Sequence, residues 1–438
     1  MAGGEREKFD NTVVEWIDSR LPLFTLIKKE YGVFPTPKNF NYFWNFGALA
    51  FFMLITMIVS GIFLAMQFEP SIDGAFPSIE RIMRDVNWGW MLRYIHMNGA
   101  SMFFIAVYIH IYRGMYYGSY KNPRELLWIL GVIIFLLMMA TAFMGYSMTM
   151  SQMGGWAATV ITNLFTAVPF VGDDILNLLL GNYTVSNETV NRFFVLHFLF
   201  PFIIVAVVFL HVVALHITGS NNPTGIEPKG PQDTLPFHPY YTTKDVFGLG
   251  VFLIIYAYLV FFAPHALTHA DHFVEYDPLV TPPHIVPEWY FLPFYAILKS
   301  VIYEGFFAPL IFLDWIGVSA KLGGVLAMIG SIAILFILPW LDRHPVRSAR
   351  YRPMYKKFFI AWALNVVLLG YLGALTADAT ILGIPAYLIG QLSTAYYFAF
   401  FIIILPVLNK IEKPLPLPNS ISEAVLEKNK SSKGTASA

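Results

Sequence analysis

Apolar residues gather into long runs along this chain, separated by short polar stretches. A helix that crosses a bilayer needs about 20 mainly apolar residues. Eight runs meet that requirement: 42–67, 90–112, 126–148, 193–217, 246–264, 322–341, 358–375 and 388–408. Residues 291–313 are also apolar, but Pro293, Lys299, Glu304 and Pro309 interrupt them, so they read as packed at the membrane edge. The pattern predicts an all-α polytopic membrane protein with eight transmembrane helices. It divides into an amphipathic N-terminal segment (1–41), a four-helix bundle with a surface loop (42–217), four further helices (218–411) and a polar, solvated tail (412–438).

Eight spans put both termini on one side, and loop charge says which. Lys and Arg concentrate in the N-terminal segment, in the loops after the second, fourth and sixth spans, and in the tail. The loops after the third and seventh spans have almost none, and the loop after the fifth carries Asp271, Glu275 and Asp277. Basic loops stay in the cytoplasm, so both termini of this multi-pass chain are expected there. The N-terminus lacks the short apolar core and small-residue cleavage site of a signal peptide.

Composition sharpens this. Charged residues make up only 13% of the chain, against roughly a quarter in soluble domains. Net charge is zero, which leaves no electrostatic case for nucleic acid. There is no cysteine, hence no disulfide, thiolate metal site, iron–sulfur ligation or covalent c-type haem attachment. A metal here must be held by His, Met, a carboxylate or a cofactor.

The second span, within MLRYIHMNGASMFFIAVYIHIYRG (91–114), carries His96 and His110; the fourth carries His197 and His211. Both intervals are 14 residues. That is nearly four helical turns, so the two histidines of each helix share a face about 21 Å apart. The two helices are separated by one span and run in the same direction. His96 therefore matches His197 in depth near the outer face, and His110 matches His211 near the cytoplasm. Ionisable side chains within the membrane are costly and by default functional. Paired imidazoles from facing helices suit the two axial positions of haem iron; zinc would want further protein ligands. Arg93 and Arg113, one turn outside each pair, suit haem propionates. Gly47 and Gly61 in the first span, and Gly131 and Gly145 in the third, repeat the same interval and allow close approach of a flat macrocycle or another backbone. The first four spans read as a di-haem four-helix bundle.

With these features the chain resembles the cytochrome b family, the central subunit of ubiquinol–cytochrome c reductase (complex III). The resemblance runs from about residue 35 to 412. Beyond the histidines and glycines it rests on NGAS (98–101), GSYKNPRE (118–125), ITGSNNPTG (217–225), KDVFG (244–248), LDRHPVRSARYRPMYK (341–356) and, most specifically, TPPHIVPEWYFLPFYAIL (281–298) with its PEWY motif. A single eight-helix chain with a 14-residue interval in the fourth helix favours the bacterial and mitochondrial type over the split plastid type.

The resemblance implies two non-covalent b-type haems and sites for ubiquinol and ubiquinone. It also implies a Rieske iron–sulfur protein and a membrane-anchored c-type cytochrome as partners in a dimeric complex. The implied activity is quinol oxidation on the positive side and quinone reduction on the cytoplasmic side, generating a proton gradient. Quinol oxidation needs a proton acceptor, and Glu288 is the candidate, with Tyr146 and Tyr295 supplying hydroxyls. On the cytoplasmic side, His216 and Asp245, with Lys244, are expected to hold the quinone and relay protons; read from the residues alone, Asp245 is more readily a cap for the fifth helix.

One segment departs from the family pattern. Residues 146–157 read YSMTMSQMGGWA. Thr149, Met150 and Ser151 stand where the family has Pro, Trp and Gly; Gly155 replaces a large aromatic and Ala157 a glycine. The departure predicts a reshaped quinol-oxidising pocket with altered turnover or inhibitor response. Two rival readings exist: a two-haem membrane anchor of another quinone-linked dehydrogenase, and a proton-coupled transporter. The anchor would lack PEWY, and the transporter would show internal repeats and broken helices.

Overall fold

The computed structural model describes residues 6–376 and 378–427. The long helices are α1 (Phe46–Ala65), α2 (Gly89–Tyr117), α3 (Glu125–Ser147), α4 (Asn187–Thr218), α5 (Phe237–Phe261), α6 (Ala320–Leu341), α7 (Pro353–Ala374) and α8 (Ala386–Ala399). The last continues through a π-helical turn to Ile411. Seven of these are long and apolar enough to cross a membrane. The exception is α2, whose 29 residues exceed the roughly 20 a span needs but include the histidines and arginines discussed above. A bent pair, Trp289–Ser300 and Gly305–Trp315, qualifies jointly with a 56° break between its halves.

Local chemistry sets the helix ends. Ser186 caps α4 in a reciprocal box with Thr189. The Ser319 side chain accepts from Leu322 N–H at the start of α6. Gly118, with φ of 68°, ends α2 in the left-handed conformation that glycine adopts without strain.

The first half is built from two packed pairs, α1 with α2 and α3 with α4, joined into one bundle where α1 also touches α4. The helix Leu292–Ser300 packs among α6, α7 and α8, burying Phe294, Ala296 and Ile297. Large apolar side chains stand exposed along the outer faces, among them Phe209, Ile254, Leu364 and Val367, as in a protein whose surrounding solvent is lipid.

Two sequence expectations need correction. Helix α5 runs continuously from just after a kink at His238, ahead of the apolar run from 246, because the polar turn PYYTTK is helical too. Asp245 thus lies well inside the helix and does not cap it. The chain after Glu412 is also not simply solvated. Glu412 is buried and accepts from Arg352 Nε at 2.9 Å, Leu415 N–H reaches Tyr351 O, and Ser422 bonds Asp233. A buried arginine needs carboxylate partners, and the start of the tail supplies one. Residues 428–438 of the tail lie outside the described residues.

Candidate di-haem and quinone sites

The histidine rings of α2 and α4 meet in two pairs. His96 and His197 have ring centroids 6.1 Å apart, and His110 and His211 6.4 Å apart. A metal held by two imidazole nitrogens at about 2 Å each separates ring centroids by about 6 Å, so one iron fits each gap.

Tautomers agree at the outer pair. His197 Nδ1 lies 2.7 Å from the Thr141 carbonyl, which only accepts, so Nδ1 carries the proton and Nε2 keeps its lone pair. Ser60 donates to Thr56 O at 2.7 Å and so accepts from His96 Nδ1–H at 2.9 Å, with the same consequence. Such hydrogen bonds behind a ligand fix its ring orientation.

Each of the four glycines faces one of these rings. A Cβ on Gly47 would stand 3.2 Å from His110 Cε1, on Gly61 3.1 Å from His96 Cε1, and on Gly131 3.4 Å from His211 Cε1. On Gly145 it would collide with His197 Cε1. The glycines of α1 and α3 are cradles for the histidine rings themselves.

Arg113 lies with Nη2 3.3 Å from His110 Nδ1, its guanidinium 4.8 Å over Trp44, and its Nε buried without a partner. An unmet cationic donor at this depth suits an anionic propionate. Among the described residues no group of three or more His, Cys, Asp or Glu is placed to hold a metal ion. The donor sets therefore fit a macrocycle-bound iron and not a free ion.

The outer pair opens into a cavity of about 240 Å³. Arg93, His96, Gly145 and His197 line it, and so do Tyr146, His272 and Glu288. The helix carrying His96 also anchors the PEWY turn. Trp289 Nε1 donates to Ser101 Oγ at 3.0 Å, Tyr290 stacks on Phe104 with centroids 4.0 Å apart, and Tyr108 O–H donates to Tyr290 O at 2.5 Å. Burial pushes the Glu288 carboxyl up to about 7. Tyr295 does not line this cavity; on the next position round from the buried Phe294, it turns its ring under Lys299 Nζ at 4.7 Å.

The departing segment is rebuilt. Helix α3 ends at Ser147, and Met150 takes a left-handed φ of 46°. Ser151 caps the helix Gln152–Thr162 by accepting from Gly154 N–H. This turn is bonded to the loop after α5: Gln152 N–H donates to Val274 O at 2.7 Å and Tyr276 N–H to Met150 O at 3.0 Å. The Tyr276 ring occupies the space beside Gly155 that a Cβ there would need, so an aromatic from another loop fills the gap. The same loop brings in His272, one of three histidines over residues 265–272 with His265 and His269; nothing in their spacing singles it out from the other two.

On the other side, His216 Nδ1 lies 2.8 Å from Val212 O and Nε2 3.0 Å from Glu30 O, with Phe34 and Tyr31 against its ring. The turn Lys28–Gly32 that supplies Glu30 also packs on α5, the helix of Asp245. Lys244 Nζ donates to Phe40 O at 2.6 Å and lies over the Tyr42 ring.

A helical membrane chain with two histidine pairs on parallel helices and a carboxylate beside the outer pair defines a class, the di-haem membrane cytochromes. Residues 32–219 match the family described as cytochrome b/b6/petB, and residues 275–398 its C-terminal part, cytochrome b(C-terminal)/b6/petD. Cytochrome b of Rhodospirillum rubrum is 56% identical over 95% of this chain and 98% of its own length. That of Rickettsia prowazekii is 54% identical over 94% of this chain and 98% of its own. A solved hyperthermophilic respiratory complex III contains a chain that superposes with a TM-score of 0.81 at 32% identity, covering 91% of this chain and 99% of that one. The chain belongs to the cytochrome b family. This family binds b-type haem and supplies the core redox subunit of complex III, a multi-subunit quinol–cytochrome c oxidoreductase. The apolar helices and the bacterial relatives fit a multi-pass protein of the inner membrane.

Proposed function

We propose that this chain oxidises quinol in the cavity beside His96 and His197 and reduces quinone at the opposite, cytoplasmic side, where both termini lie. His96 with His197, and His110 with His211, hold the two haems; Arg93 and Arg113 meet their propionates. The haems, when bound, supply one-electron carriers at two depths in the membrane. The units 1–41, 42–217, 218–411 and 412–438 then serve as N-terminal cover, di-haem bundle, quinone-site helices and tail.

The observation that carries the quinol site is one cavity shared by the outer histidine pair and by Glu288. A quinol loses two protons with its two electrons, so the site needs a base. Glu288 is a buried carboxylate poised near neutrality, which suits general-base work. Tyr146 lines the same cavity and orients the ring of the substrate. The two electrons leave separately, one to a Rieske-type iron–sulfur protein and one across the membrane to the second quinone. A membrane-anchored c-type cytochrome accepts from the Rieske protein, in a dimeric assembly.

At the cytoplasmic side His216 and Asp245 bind quinone and deliver protons. Lys244 holds the backbone at Phe40. A quinone that reaches His216 Nε2 replaces the Glu30 carbonyl now facing it. The test is the rate at which added quinol reduces the b haems of the purified complex with the cytoplasmic quinone site blocked. Rapid reduction that Glu288→Gln slows supports the reading; rapid reduction indifferent to Glu288→Gln contradicts it.

A further inference from the structure

The rebuilt segment and the loop after α5 create a group of side chains that the mechanism above does not use. His272 is buried, with its ring edge-on to Tyr146 at 4.3 Å between centroids. Its Nδ1 lies 2.8 Å from Ser151 Oγ. Its Nε2 is buried without a hydrogen-bond partner and lies 3.7 Å from Glu288 Oε1.

The hydroxyl network assigns the protons. Thr149 O–H donates to Tyr146 O at 2.9 Å, and Ser151 Oγ accepts from Gly154 N–H at 3.1 Å. The one proton of Ser151 has two acceptors in reach, His272 Nδ1 at 2.8 Å and Thr149 Oγ1 at 3.2 Å. The Glu288 carboxylate beside His272 Nε2, an acceptor when ionised, favours the arrangement in which Ser151 donates to Nδ1. A neutral His272 then carries its own proton on Nε2, the nitrogen that faces Glu288.

We propose that His272 is a positioning residue for Glu288: oriented by Ser151, it presents Nε2–H to the carboxylate, keeping Glu288 turned into the cavity and in its ionised, proton-accepting form. This rests on the reading of the cavity as the quinol-oxidising site. The 3.7 Å gap is longer than a direct bond of about 2.7–3.2 Å, so one bridging water or a small rotation of Glu288 completes it. Burial, then the charges of Arg93 and His269, hold the imidazole down to about 3, so it is neutral at working pH and acts as a donor. The titratable groups facing the pair are Tyr146 from α3, Arg93 from α2, Tyr290 after Glu288, and His269 and Asp271 in the same loop as His272. Among the described residues none of these other groups donates a hydrogen bond to Glu288.

A donor to an ionised carboxylate favours ionisation, so its loss moves the acid limb of quinol oxidation to higher pH. The experiment measures the pH dependence of quinol-driven haem reduction in the purified complex with the cytoplasmic quinone site blocked, for His272→Leu, His272→Gln, Ser151→Ala and Glu288→Gln, with the haem spectrum as the check on assembly. His272→Leu is expected to shift the acid midpoint upward by about one unit, a tenfold loss of rate well below it. Ser151→Ala is expected to give a smaller shift in the same direction. His272→Gln keeps an N–H at similar reach and is expected to restore the wild-type midpoint. An unmoved midpoint in both His272→Leu and Ser151→Ala, or an equal shift in His272→Gln and His272→Leu, overturns the positioning role. A full wild-type rate in Glu288→Gln overturns the quinol-site reading itself, a distinct result.

Discussion

A single methyl group separates the four glycine cradles. At Gly145 an added Cβ collides with His197 Cε1, whereas at Gly131 it meets His211 Cε1 at an ordinary 3.4 Å. Gly145→Ala is therefore expected to displace the His197 ring and cost the outer haem, while Gly131→Ala keeps both; the reduced-minus-oxidised spectrum distinguishes one b component from two. Glu288 supplies the second prediction at this scale. Burial disfavours its charge and pushes its carboxyl up to about 7, and only the ionised form accepts a proton. Quinol-driven haem reduction is expected to be full above that value and to fall as pH drops through it. Glu288→Gln removes the limb and lowers the rate by about a hundredfold or more. A flat profile from pH 5 to 8 in the wild type would count against Glu288 as the base.

Among the elements, the loops on the termini side are tied by buried charge. Asp342, after α6, accepts from Arg352 at 2.7 Å, Lys121 at 2.9 Å and Tyr120 at 2.6 Å, and Arg352 also reaches Glu412. Burial alone would raise the Asp342 carboxyl, but Lys121 and Arg352 outweigh it and hold it below its ordinary value. This carboxylate contributes stability that is present above the unfolded-state value and lost as pH falls through the lower folded-state one. Asp342→Asn or Arg352→Met leaves buried charge unpaired and is expected to cost about 3–5 kcal/mol, read as a fall in the unfolding temperature of the detergent-solubilised complex; an unchanged temperature would show that these loops do not hold the two halves together.

Much of this level was legible in advance. The membrane helices follow from apolar runs, and the 14-residue interval sets both histidines of a helix on one face. Legibility stopped where partners are distant in sequence. Nothing near Gly155 announces that Tyr276 fills its space, and nothing near His272 announces Ser151, 121 residues earlier. Helix α5 extends past its apolar run, and hydropathy sees only the apolar part; Tyr295 faces Lys299 instead of the cavity because a neighbour in sequence points about 100° away around a helix.

At the scale of the whole molecule, two features work together. The parallel run of α2 and α4 puts one histidine pair at each of two depths, and the PEWY turn, anchored on α2, sets a carboxylate beside only one of them. In the proposed function, that asymmetry assigns quinol oxidation and quinone reduction to opposite faces, with charge separated across the lipid. The central claim is tested most directly by redox titration of the b-haem spectrum in the purified complex, wild type against His211→Ala. The account predicts two b components in the wild type and loss of one in the variant, with the other retained on His96 and His197. Two undiminished components in His211→Ala, or no b-haem signal in the wild type, would contradict it.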